Sequence, residues 1–269
     1  MRTLAGVFVF AVVVSLPSAA QATPKFNPFT YTYDTLGEGE VEVEQYADAI
    51  PLKAVNAASG DPQWYVATQF QTEFEYGITN RLELGLYVSL VPTPPASLAQ
   101  TGNTPEGNGV KQRLRYRFAE EGQWPIDVGI YGELVENDHE IEIEGKVILQ
   151  KRIGRLRALM NLWVEHEWYY INRREWVINP TAAVSYQVTP SFFPGVEGWM
   201  RVEWPDPGIH PRPFNLGPAV YAGPTVSLNF GRFWWTTGAY LRMNDPLRSL
   251  APGDSYGNFW FRSIVGVDL

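Results

Sequence analysis

Apolar and polar residues alternate along most of the chain from residue 38 to its end. In "HEIEIEGKVILQK" (139–151), Glu140, Glu142 and Glu144 share one parity, whereas Ile141 and Ile143 hold the other. Successive side chains of a β-strand point to opposite faces, so this pattern predicts strands with one polar and one apolar face. Twelve strands are predicted, at 39–47, 64–77, 81–91, 110–118, 125–135, 139–153, 155–169, 175–188, 195–204, 216–230, 233–243 and 258–269.

The connections between the predicted strands alternate in length. The short ones are 78–80, 119–124, the region around Gly154, 189–194 and 231–232. The other set is mostly longer and rich in Pro, Gly and Asn, at 48–63, 92–109, 170–174, 205–215 and 244–257, with 136–138 as a short exception. An even strand count with short turns at one end and longer loops at the other is typical of a transmembrane antiparallel up-and-down β-barrel. The fold class is therefore predicted to be all-β.

A soluble sandwich or lipocalin-like barrel shows the same alternation with its apolar face inward. Aromatic residues of the apolar parity favour the membrane alternative because they gather at both ends of the strands. Near the long loops they are Trp64, Trp168, Trp176, Trp204 and Phe259. Near the short turns they are Tyr76, Phe118, Tyr186, Phe230, Phe233 and Trp235. Two such belts are the interfacial girdles of a barrel in lipid.

The first residues differ in character from the rest of the chain. Arg2, an apolar run and the sequence "AQA" predict a cleaved signal peptide over 1–22. The N-terminal segment 23–38 has no clear periodicity, and it could either plug the lumen or lie in the periplasm. The barrel is predicted to span 39–269. The chain has no cysteine, which excludes a disulfide framework, and its net charge of −8 argues against nucleic acid as a partner.

Two stretches, "YTYDTLGEGEVEVEQY" and "YGITNRLELGL", resemble a family of outer-membrane barrels. These are the transporter-like proteins grouped with the MetA pathway of phenol degradation. The matching positions are Tyr31, Tyr33, Gly39, Glu40 and the turn at 76–85. The motif match covers the first third of the chain. The resemblance implies an outer-membrane location and passage of small molecules, and it identifies no substrate.

If the apolar parity faces lipid, the polar parity lines the lumen. The predicted basic column on one strand is Lys111, Arg113, Arg115 and Arg117. The predicted lumen glutamates that oppose it are Glu73, Glu83, Glu133, Glu142, Glu144, Glu165 and Glu197, and Arg201 is a further predicted lumen residue. Opposed basic and acidic walls would set ion preference in a pore. A twelve-stranded barrel has a backbone radius of roughly 12 Å, so cross-strand Arg–Glu pairs could equally fill it.

No catalytic residue, metal site or cofactor is predicted. His166 has outward parity near the outer belt, where a lipid-modifying enzyme would need Ser, His and an acid, but no serine stands at a matching position. Pairs such as Glu142/Glu144 and Glu165/Glu167 follow from parity in any charged lumen. The sequence therefore predicts a porin-like channel for an unidentified small solute, with a non-conducting envelope barrel or, less favoured, a lipid-modifying enzyme as alternatives. Expected partners are outer-membrane lipid, lipopolysaccharide and the barrel-assembly machinery, with the chain monomeric or loosely oligomeric.

Overall fold

A computed structural model describes residues 25–101, 107–205, 218–245 and 251–269. The predicted signal peptide and His210 lie outside these ranges. The strands are β1 (Val41–Asn56), β2 (Pro62–Thr79), β3 (Leu82–Leu90), β4 (Leu98–Ala99), β5 (Gly109–Arg117), β6 (Asp127–Asn137), β7 (Glu140–Ile153), β8 (Leu156–Tyr169), β9 (Arg173–Ile178), β10 (Thr181–Tyr186), β11 (Phe192–Pro205), β12 (Ala219–Asn229), β13 (Phe233–Arg242) and β14 (Phe259–Asp268). Among the described residues, no helix is long and apolar enough to cross a membrane.

The strands form one closed antiparallel barrel. Apart from β4, β9 and β10, each strand pairs with its neighbours in sequence, and β1 pairs with β14 to close the sheet. The short strands β9 and β10 both lie between β8 and β11, so they are two halves of one crossing strand. The two-residue strand β4 pairs with the end of β1 outside the main ladder. Within the described ranges the barrel therefore has twelve crossing strands, which confirms the predicted fold class.

The first crossing strand is longer than the sequence predicted. Residues 48–56 continue β1, and only 57–61 form the turn to β2, so the predicted long loop at 48–63 was wrong. The alternation is hidden there because both faces are apolar: Ile50 and Leu52 point inward, whereas Ala47 and Ala49 share the opposite parity. A pattern search based on polarity cannot detect a strand whose two faces do not differ.

Proline residues within the strands do not shift the register. The sequence predicted bulges at Pro180, Pro218 and Pro224, because proline cannot donate to the ladder. Pro180 separates β9 from β10, yet both halves keep one register against β8. Pro224 lies inside β12 opposite Val196, again without a shift, and Pro218 precedes that strand. The predicted bulges were wrong, because the register is the same on both sides of Pro180 and Pro224 and no extra residue is inserted there.

The barrel is apolar outside and polar inside. Large hydrophobic side chains are exposed around the exterior, including Phe74, Ile143 and Trp176, whereas most of the charged side chains of the same strands are buried. A water-soluble protein would have the reverse arrangement. An exterior apolar band around a closed barrel, which satisfies its backbone hydrogen bonds, is the structure that a bilayer requires.

Arginine substitutions on the exterior are expected to report the lipid-facing depth of each position. Val147 lies in the middle of β7, and Ile153 lies at its end beside the turn at Gly154. Val147→Arg should lower the free energy of unfolding in lipid by about 2 to 4 kcal/mol, and Ile153→Arg by about 1 kcal/mol or less. Denaturant unfolding in phospholipid vesicles measures both, and equal losses at the two positions would contradict a transmembrane orientation.

Candidate functional site

The N-terminal segment enters the barrel. Residues 25–36 form no strand, and nearly all of their side chains are buried among inward-facing residues. Phe29 lies at the apex of this segment, where its ring packs 5.0 Å from that of Trp199 and 5.7 Å from that of Trp260. The chain then returns toward the short-turn end, where Thr35 donates to the carbonyl of Asn80 at 3.2 Å. Of the two positions that the sequence left open for this segment, the structure has the interior one.

Barrel side chains bind the backbone of the N-terminal segment. The carboxylate of Glu197 accepts the N–H groups of Phe29 at 3.1 Å and Thr30 at 2.5 Å. Asn161 pairs with Tyr31 in both directions, accepting its N–H at 2.7 Å and donating to its carbonyl at 3.1 Å. A buried segment without secondary structure has no strand partner for its backbone N–H and C=O groups. These side chains supply the hydrogen bonds that a neighbouring strand would otherwise make.

The returning part of the segment is held in the same way. The N–H of Tyr33 donates to Gln150 at 3.3 Å, and that of Leu36 donates to Glu83 at 2.8 Å. Asp34 pairs with Arg157 at 2.9 Å. Glu83 and Glu197 were both predicted as selectivity residues. In the structure they accept hydrogen bonds from the backbone of the N-terminal segment.

Arg113 is the centre of a buried ion-pair cluster and does not belong to a separate basic wall. Its side chain is only 1% exposed, and its guanidinium contacts Glu73 and Glu83 at 2.6 Å each, and also Glu75. The reason is register: β3 lies between β2 and β5, so residues of β2, β3 and β5 on the inward parity converge. Arg115 adds a contact to Glu83 at 2.7 Å.

Lys25 joins this cluster from the N-terminal segment. Its ammonium lies 3.0 Å from Glu73 and also contacts Glu44, and it approaches Glu75 at 3.6 Å. The cluster therefore links the segment to the wall by charge as well as by backbone hydrogen bonds. Lys25 was missed in the sequence because a single lysine in an aperiodic stretch carries no pattern.

The long-loop half of the barrel holds a cavity of about 90 Å³. A volume of this size accommodates several water molecules. Phe29 and Tyr31 of the N-terminal segment form part of its boundary. Six of the lumen residues predicted from the sequence line this cavity: Lys111, Glu133, Glu142, Glu144, Glu165 and Arg201. Arg117 differs from them, because it lies at the end of β5 and pairs with Glu120 at 3.0 Å.

Glutamates stand directly opposite one another along the cavity wall. One row joins Glu133, Glu144 and Glu165 across β6, β7 and β8. Like charges directly opposite in a sheet destabilise it unless cations intervene. Arg201 supplies one of these cations, since it contacts Glu165 at 2.7 Å and also Glu167.

Lys111, Lys146 and Arg262 are the other cations that line the cavity. Lys146 pairs with Glu144, and its ammonium also lies over the rings of Trp163 at 3.7 Å and Tyr131 at 3.9 Å. Lys111 lies 3.8 Å from Glu133. Four carboxylates and four cations line the cavity, but Arg201 and Arg262 also pair with acids behind it, namely Asp48, Glu167 and Glu203. Seven acidic side chains therefore share four cations.

The opposite side of the cavity is aromatic. Trp199 stacks on Tyr221 with ring centroids 4.2 Å apart, and Trp260 meets Trp199 edge-on at 5.2 Å. Tyr256 donates to Glu203 at 2.5 Å and joins this side to the charged wall. The sequence did not assign these residues to the lumen, because large rings occur on both parities in this barrel.

His166 has no catalytic neighbours in the register of the sheet. The residues paired with it are Ile143 and Trp176. Its ring packs 4.1 Å from that of Trp168 and 4.3 Å from that of Trp176. Neither paired residue carries a hydroxyl nucleophile. His166 is instead part of an aromatic cluster with Trp168 and Trp176 on the outer face of the barrel.

Glu197→Gln is expected to loosen the N-terminal segment while leaving the barrel intact. An amide retains one acceptor oxygen where the carboxylate offers two charged ones, so the N–H groups of Phe29 and Thr30 should exchange with solvent deuterium several-fold faster. Glu203→Gln is the matched control, because Glu203 lies on the same strand and binds Arg201 and Tyr256. Hydrogen exchange measured by mass spectrometry would contradict this role if both variants behaved alike.

The barrel is similar to solved structures of outer-membrane channels. One is an outer membrane channel from Pseudomonas putida F1, with a TM-score of 0.59 and 14% identity, covering 88% of this chain and 98% of that chain. Another is the NanC porin, with a TM-score of 0.56 and 11% identity, covering 85% of this chain and 100% of that chain. At these identities the likeness shows a shared fold alone. Neither a protein-family model nor a curated protein sequence matches the chain.

Proposed function

We propose that this chain is an outer-membrane channel for small solutes whose lumen is closed by residues 25–36. One observation carries the proposal: the material that fills the short-turn half of the lumen is not part of the sheet. The segment is held by side-chain contacts, such as those of Glu197 and Asn161, so it can leave without breaking a strand pairing. The shared fold with an outer membrane channel and a porin supports this function.

The cavity favours cations over anions as permeating species. The acids that line the cavity or pair with its arginines from behind outnumber the four cations there. Clefts lined mainly by one sign of charge concentrate ions of the other. The short-turn end would face the periplasm, as in other barrels of this plan, and the cavity would face the outside. The grouping with the MetA pathway of phenol degradation belongs to this proposal, and it rests on the motifs at Tyr31 to Glu40 and 76–85.

A reversible disulfide tests the channel and its closure together. The side-chain oxygens of Asn27 and Ser185 lie 3.1 Å apart, and the chain has no native cysteine. In planar bilayers, the Asn27→Cys/Ser185→Cys variant should conduct less when oxidised than when reduced, because the bond ties the segment to β10. The Asn27→Cys single variant controls for the reagents.

Two results would count against the proposal. If neither the wild-type protein, the reduced variant nor a variant that lacks residues 25–36 gives channel events or solute flux, the chain is not a channel. If the oxidised and reduced forms of the double variant conduct equally, residues 25–36 do not close the pathway. A cation-to-anion permeability ratio below one would remove the proposed role of the glutamates.

A non-conducting barrel is the second candidate, and the filled lumen favours it. The cluster around Arg113 and the buried segment together stiffen the barrel as a structural pair network would. This candidate expects no conductance in any variant, including one that lacks residues 25–36. The same bilayer experiment therefore distinguishes the two.

A further inference from the structure

Three glutamates from two strands converge at one side of the lumen cavity. Glu142 and Glu144 lie on β7, Glu165 lies on β8 directly opposite Glu144, and all three line the cavity. One carboxylate oxygen from each lies within 4.8 Å of the others. Calcium binds oxygen at 2.3–2.6 Å, so two ligands on opposite sides of the ion are about 4.6–5.2 Å apart. The three oxygens are therefore close enough together for one calcium ion to contact all of them.

The charges present do not account for all three carboxylates. Lys146 contacts Glu144, and Arg201 contacts Glu165. Glu142 has no hydrogen bond or ion pair with another described residue. Lys146 is also held at the wall by the ring of Trp163, at 3.7 Å, which limits its movement toward Glu142. Lys111, the other lysine of the cavity, forms its ion pair with Glu133 at 3.8 Å. Glu142 thus brings a carboxyl group without an ion-pair partner among the described residues to the cavity surface, beside two others.

An independent feature on the same cavity also indicates a cation. The side-chain oxygen of Asn179 is buried without a hydrogen-bond partner among the described residues, in a side chain only 8% exposed. Its backbone N–H binds the carbonyl of Trp163 at 3.0 Å, and Pro180 follows it, so the position is fixed at the break between β9 and β10. A buried amide oxygen without a donor costs free energy, and a metal ion would satisfy it.

A second group of carboxylates extends the negative region toward the long loops. Glu140, Glu142 and Glu167 also bring one oxygen each within 4.8 Å of one another. One oxygen of Glu140 is buried and has no donor among the described residues. Glu142 belongs to both groups, so it is the residue whose charge matters most for cation binding.

We propose that Glu142, Glu144, Glu165 and Asn179 form a binding site for a divalent cation, calcium, in the long-loop half of the lumen. The ligand set is three carboxylates and one amide oxygen, which are hard ligands suited to calcium. Water completes the coordination in the cavity. The site is independent of conduction, since a barrel that never opens would still bind the ion.

Calcium binding is measured on full-length protein refolded without lipopolysaccharide, which would itself bind divalent ions. After treatment with EDTA and desalting, terbium luminescence excited through tryptophan should report the site, because Trp163 lines the cavity. Calcium should displace terbium with a dissociation constant on the order of 10⁻⁴ to 10⁻³ M. Isothermal titration with calcium alone measures the same constant.

Variants assign the binding to this site. Glu142→Gln should weaken calcium binding by about tenfold or more, and Asn179→Ala by a smaller factor, because the first removes a charge and the second a neutral ligand. Glu136→Gln is the matched control, since Glu136 is an exposed glutamate of β6 near the same end. A band that shifts on boiling confirms that each variant is folded.

The outcomes separate clearly. Calcium binding that is lost in Glu142→Gln and kept in Glu136→Gln supports the site. The proposal is overturned if no calcium-dependent signal appears even at calcium concentrations well above the millimolar range. It is also overturned if both variants retain calcium binding. Channel conductance is measured separately, so a failed calcium titration leaves the channel proposal intact.

Discussion

Replacing Arg113 with methionine is expected to lower the free energy of unfolding by about 3 to 5 kcal/mol, because it breaks a buried ion cluster and leaves its acids unpaired. The guanidinium contacts Glu73, Glu75 and Glu83, all buried. Methionine fills similar volume but offers no charge or donor, so three carboxylates would share Lys25 and Arg115. Denaturant titration of refolded protein in vesicles measures the loss.

Arg117→Met is the control on the same strand. Arg117 pairs with Glu120, whose side chain is 43% exposed, and exposed pairs contribute less than about 1 kcal/mol. Neutralising one acid, in the double variant Arg113→Met/Glu75→Gln, should recover part of the stability. A loss at Arg113 no greater than that at Arg117, or no recovery in the double variant, would show that the cluster does not stabilise the barrel.

Replacing residues 25–36 with a glycine–serine linker of equal length is expected to raise single-channel conductance several-fold. These residues occupy the short-turn half of a lumen whose backbone radius is roughly 12 Å, and they form one boundary of the cavity. A flexible polar linker lacks the buried side chains of Phe29 and Tyr33, so it would not stay inside the barrel. The strand ladder does not include the segment, so the barrel should still fold.

Phe29→Ala provides an intermediate case. It removes the ring that packs against Trp199, Tyr240 and Trp260 and keeps the backbone contacts. Its conductance should fall between the wild type and the linker variant. If the linker variant conducts no better than the wild type, the segment does not limit the pathway.

The sequence predicted the fold with few errors because parity is a local property. Each strand shows its two faces in its own residues, as "HEIEIEGKVILQK" does, and twelve such stretches with alternating connections lead to a closed barrel. The errors fell where the local signal failed. Ile50 and Leu52 made both faces of β1 apolar, and the prolines suggested bulges that an unbroken register does not need.

The sequence by itself determined which side chains face inward, including Arg113, Glu142 and Glu165. Only the tertiary structure decided what those side chains meet. Contacts such as Arg113 with Glu73, or Glu144 with Glu165, depend on the register between strands, which one strand's sequence does not contain. The placement of residues 25–36 likewise depends on acceptors more than a hundred residues away, such as Asn161 and Glu197. The alternation of inward and outward side chains can be read within one strand. The ion pairs between strands and the burial of residues 25–36 in the lumen are properties of the closed barrel.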